Sequence, residues 1–93
     1  MKRAYLFAKL EVPEEHREVE PQIKMWRAVL DQMLQDILSE EQTLEAEQNR
    51  MDAKVFMRGN SRDFWEVCYL AELEPDHVQH IIHETIGKDT LYD

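Results

Sequence analysis

Between Pro21 and Ser39, apolar side chains recur every three or four residues: Ile23, Trp26, Val29, Leu30, Met33, Leu34, Ile37 and Leu38. That spacing predicts an amphipathic helix of about five turns with a broad buried face. It leaves Lys24, Arg27, Asp31, Gln35 and Asp36 on the outside. Pro21 suits the first helical position, where a missing N–H leaves no helical bond unmade. An apolar stripe this wide has to be covered by other elements of the chain.

Those elements follow in order. "SEEQTLEAEQNRMDAKVFMRG" reads as a second helix, capped by Ser39 with acids in its first turn. Its apolar face is Leu44 and Met51, then Val55, Phe56 and Met57, and Gly59 offers a left-handed stop. Ser61 caps a third helix, with Asp63 in the first turn, carrying Phe64, Trp65, Val67, Cys68, Leu70 and Ala71. Glu74-Pro75-Asp76 opens a fourth, whose inner side is Val78, Ile81 and Ile82 and which ends at Gly87. "KDTLYD" is a polar tail in which Leu91 and Tyr92 can dock back.

Upstream, "AYLFAKLEV" sets Leu6, Ala8, Leu10 and Val12 on one alternation, which predicts a short strand ended by Pro13. Such a strand lies as an extended arm or pairs with a second copy, a short helix being the other reading. "PEEHREVEP" is a charged linker. The expectation is one all-α domain over residues 1–93. It has an extended N-terminal arm and linker (1–20), a compact bundle of about four helices (21–86) and a tail (87–93).

Composition narrows the function. The chain carries 11 basic and 20 acidic residues, a net charge of -9. Residues 61–93 hold two basic and eight acidic groups. Affinity for phosphate backbones comes mainly from Lys and Arg, so this balance opposes nucleic-acid binding. A single cysteine, Cys68, excludes an internal disulfide and fits a reducing cytoplasm. No apolar run is long enough to insert in a membrane, and Lys9 and Glu11 cut "AYLFA" too short for a signal peptide. No nucleophile–base arrangement, glycine-rich phosphate loop or carboxylate pair stands out, so neither an enzyme nor a cofactor is expected.

The third and fourth helices have the spacing of a helix-turn-helix. Cys68 is the small residue where the helices cross, Glu72 the turn position and Leu73 the apolar residue after it. Val78 and Ile81 form the inner face. "FMRGNSRDFWEVCYLAELEPDHVQHII" and the upstream "WRAVLDQMLQDIL" resemble two blocks of small, largely uncharacterised phage- and prophage-type proteins. The resemblance covers residues 26–38 and 56–82. It implies a helix-turn-helix-like regulatory domain without catalytic residues. The family pattern has Gly where this chain has Glu72, and often a basic residue where it has Gln79.

The expected contact face is Asp76, His77, Gln79, His80 and His83, with Glu84 beside it. Gln79 could pair with adenine, and His77 or His80 with phosphate. No Lys or Arg lies between Arg62 and Lys88, so backbone-gripping cations would have to come from elsewhere. The candidates are Arg3, Arg17, Lys24, Arg27, Arg50, Lys54, Arg58, Arg62 and Lys88, with Lys2-Arg3 as a minor-groove arm.

Two function classes compete. One is a phage-type helix-turn-helix transcriptional regulator or accessory factor. The other is an acidic protein-binding module, an inhibitor or adaptor of a nucleic-acid-processing machine or a nucleic-acid mimic, that never touches DNA. Partners are therefore protein, DNA or both, with a homodimer possible and no membrane. A third reading makes the histidine row of His77, His80 and His83 a metal or pH switch, but its spacing lacks a completing ligand cluster, and no metal is expected. The bland readings are solvated histidines, a solvated face for Glu40, Glu41, Glu45 and Glu47, and a packed core thiol at Cys68. Trp26 and Trp65 read as core aromatics, although adjacent Phe64 and Trp65 cannot both face inward, so one belongs at a boundary or interface.

Overall fold

The computed structural model describes residues 6–7 and 20–92. Among them the architecture is all-α, with five helices in chain order: α1 Glu20–Leu38, α2 Leu44–Met57, α3 Arg62–Leu70, α4 Pro75–Ile86 and α5 Lys88–Leu91. They enclose one apolar cluster. α1 gives it Leu30, Leu34 and Ile37, α2 gives Ala53 and Met57, and α3 gives Phe64 and Cys68. Ala71, Val78, Ile82 and Leu91 join it from the C-terminal half, and Phe7 from ahead of α1. Phe56 and Phe64 meet edge to face across it, with ring centroids 5.6 Å apart.

α1 follows the three-and-four pattern, but two of its charged residues lie inside rather than outside. Arg27 and Asp31 are buried, 1% and 3% exposed. Each has a backbone partner that explains its place. Arg27 donates its Nε–H to the carbonyl of Ala71 at 2.9 Å, just past the end of α3. Asp31 Oδ1 accepts the N–H of Phe7 at 2.9 Å. A buried polar group survives when its hydrogen bonds are made. Phe7 is itself buried and lies in a turn. The remainder of the expected strand and arm falls outside the described residues.

α2 departs from expectation at both its start and its face. It begins at Leu44 and is capped by Thr43, whose Oγ1 accepts the N–H of Ala46, rather than by Ser39. Ser39–Gln42 is a loop fastened by Arg50, which donates to the carbonyls of Ser39 (2.9 Å) and Glu41 (2.6 Å). α2 buries Ala53 and Met57. The expected apolar residues Leu44, Met51 and Val55 share the opposite, solvent-facing side.

The α3–α4 connection follows its sequence signals. Ser61 Oγ accepts the N–H of Phe64 at 3.2 Å, and Pro75 opens α4. Between the helices Glu72 has φ 58, and the N–H of Leu73 donates back to the carbonyl of Cys68 at 2.9 Å. Cys68 and Val78 are fully buried, and Ile81 is partly so. Gly59 ends α2 with φ 77, and Gly87 ends α4 with φ 89. Residues 88–91, expected as tail, form α5. Leu91 enters the core as expected, and Arg58 donates to its carbonyl at 2.9 Å. The same guanidinium lies 5.4 Å from the centroid of the Tyr92 ring. Among the described residues, no helix is long and apolar enough to cross a membrane.

Candidate functional site

The outer surface of α4 is narrower than its sequence implies. Asp76, His77 and His80 are exposed, and His80 Nε2 lies 2.9 Å from Glu84 Oε1. Gln79 turns inward instead. Its Nε2 donates to the carbonyl of Met57 at 2.6 Å, satisfying a carbonyl of the last turn of α2. Gly59 makes room for it: a Cβ there would lie 2.5 Å from Gln79 Nε2. A side-chain amide held in this way is not presented to a base edge. His83 is half-buried, and its Nε2 is enclosed without a hydrogen-bond partner. Of the five candidate contact residues, Asp76, His77 and His80 share the free surface, while Gln79 and His83 are drawn toward the body.

The arginines are arranged for structure. Each of those among the described residues meets an oxygen of the chain itself. Arg27 holds Ala71, Arg50 holds Ser39 and Glu41, Arg58 holds Leu91, and Arg62 pairs with Glu66 at 3.1 Å. Burial lowers the pKa of the Arg27 guanidinium, and the Glu72 charge opposes that shift. The Cys68 thiol, fully enclosed, is pushed up from 9.0 to about 11 by burial, which makes it a poor nucleophile. Among the described residues, no three His, Cys, Asp or Glu side chains converge to hold a metal ion.

The feature that the sequence left ambiguous lies on α3. Phe64 is fully buried, whereas Trp65, expected in the core, is 54% exposed. Its Nε1–H donates to the carbonyl of Gly59 at 3.3 Å, so one edge of the indole is fixed while its face stays open. Tyr69, four residues on, is 79% exposed, and Leu70 is 43% exposed. With Arg62 and Glu66 they line a shallow, mainly apolar groove. The available signal was the pair Phe64-Trp65: the line Phe64, Cys68, Ala71 faces inward, which forces Trp65 and Tyr69 outward.

Comparison with protein-family models, curated proteins and solved structures gives no match. The functional reading therefore rests on the chain's own surfaces.

Proposed function

We propose that this chain is a non-enzymatic, acidic protein-binding module that acts in the cytoplasm without reading DNA. The observation that carries this reading is the outer face of α4. It offers Asp76, His77, His80 and Glu84 with no Lys or Arg among them, and the one amide suited to a base, Gln79, is bonded to Met57. A DNA reader needs cations to hold phosphates beside its reading helix. Here Arg62, the last arginine before α4 in the sequence, is paired with Glu66. Carboxylates concentrated on one half of a chain suit a basic protein partner instead.

A gel shift at low salt with mixed-sequence duplex DNA tests the reading. The expected result is no shift; a shift that disappears as salt is added would overturn it.

One observation favours the alternative, a phage-type transcriptional regulator using residues 75–84. The left-handed turn residue Glu72, four positions after buried Cys68 and six before buried Val78, reproduces the steric pattern of a helix-turn-helix. The same gel shift decides between them, because that pattern also serves as a plain packing motif.

A further inference from the structure

We infer that the outer face of α3, built from Trp65, Tyr69 and Leu70, is the docking surface of this module, and that it takes a cationic amphipathic helix of a partner protein. This inference rests on the protein-binding reading above and adds the surface and the class of partner.

Scattered apolar side chains on a surface mean little, but aromatic residues clustered within a polar rim have the composition of interface centres. Trp65 and Tyr69 stand four residues apart and so line one side of the helix, while Leu70 borders the same groove across Arg62 and Glu66. The indole is already held by its bond to the Gly59 carbonyl, so docking costs little side-chain freedom. A ridge running along a helix axis fits between side chains spaced three and four apart on a second helix.

The rim selects the charge of the occupant. Glu66 lines the groove with Trp65 and Tyr69, and Glu72 and Glu74 in the turn are exposed beside Tyr69. Arg62 is the single cation among them and is paired with Glu66. Lysines or arginines flanking an apolar stripe would meet these carboxylates. A second copy of this chain would bring the same carboxylates against themselves across a two-fold axis, which disfavours a homodimer through this face. Nucleic acid is opposed by the same groups.

The test uses the full chain and a fluorescein-labelled synthetic Lys/Leu peptide of amphipathic order, followed by anisotropy at physiological salt. A scrambled Lys/Leu peptide and a Glu/Leu counterpart serve as comparisons. Binding is expected for the amphipathic Lys/Leu peptide alone. Trp65→Ala and Tyr69→Ala should each weaken it about tenfold or more, with helical circular dichroism unchanged, while Met51→Ser on α2 leaves it intact.

Binding insensitive to both aromatic substitutions would overturn the surface while leaving the module reading in place. Equal binding of the scrambled peptide, or no binding of the amphipathic one, would overturn the assigned partner class. A dimer in solution that Trp65→Ala dissociates would overturn it too, by making the chain its own occupant. None of these results depends on the gel shift, so the two readings fail separately.

Discussion

Arg27 of α1 and Ala71, just past the end of α3, are joined by an Nε–H to carbonyl bond of 2.9 Å across 44 residues of sequence. This bond ties the longest helix to the α3–α4 turn from within the core. Arg27→Met retains most of the aliphatic stem but leaves the buried carbonyl without its donor. We expect a loss of about 1–3 kcal/mol, read as a lower urea midpoint at unchanged slope. Arg27→Lys should recover only part of it, because an ammonium cannot reproduce the planar geometry of the guanidinium.

Gln79 and Gly59 form a second lock. Gly59→Ala should destabilise by about 1–2 kcal/mol, since it strains a backbone at φ 77 and drives a methyl into the Gln79 amide. Gln79→Ala should cost about 1 kcal/mol by freeing the Met57 carbonyl. The double variant is expected to lose less than the two losses added, because the collision vanishes with the amide. Additive losses in a double-mutant cycle would contradict this packing.

Glu72 holds a left-handed conformation at φ 58 that a side chain adopts only at a cost. Its charge also favours the charged form of Arg27, which opposes the effect of relieving that strain. Glu72 is exposed, so the charge interaction is the smaller of the two. Glu72→Gly is therefore expected to raise stability by roughly 0.5–1 kcal/mol in urea unfolding. A decrease would mean that the attraction to Arg27 prevails.

The thiol of Cys68 gives a pH signature. Its folded pKa of about 11 lies above the unfolded value near 9.0, so the folded state favours the protonated form. The stabilising contribution is fully present below about pH 9 and is lost as pH rises towards 11. Over that window wild type should lose on the order of 2–3 kcal/mol more than Cys68→Ala. Parallel pH profiles for the two proteins would refute the shift.

Much of the fold was legible because local signals agreed with one another. The α1 stripe, the Ser61 cap, Pro75 at the start of α4 and the Gly59 stop after α2 each have a short-range physical cause. The errors fall where a distant partner decides. Ser39 and Thr43 are both competent caps followed by acids; Arg50, bonded to Ser39 and Glu41, keeps the first of them out of the helix. Arg27 and Asp31 read as solvent-facing because their partners, Ala71 and Phe7, are 44 and 24 residues away. Small Ala53 gave too weak an apolar signal to set the buried side of α2 against Leu44 and Val55. At the candidate site, side-chain type alone suggested a base-reading Gln79. Only the nearby end of α2 reveals that its amide is already engaged.

The arginine arrangement has a practical corollary. A guanidine-selective reagent such as phenylglyoxal removes the charge and the hydrogen-bond donors of an arginine. In this protein, capping the guanidinium of Arg27 or Arg58 would pull out rivets between segments that are remote in sequence. Such labelling would act as a slow denaturant, its pace set by how often those joints open.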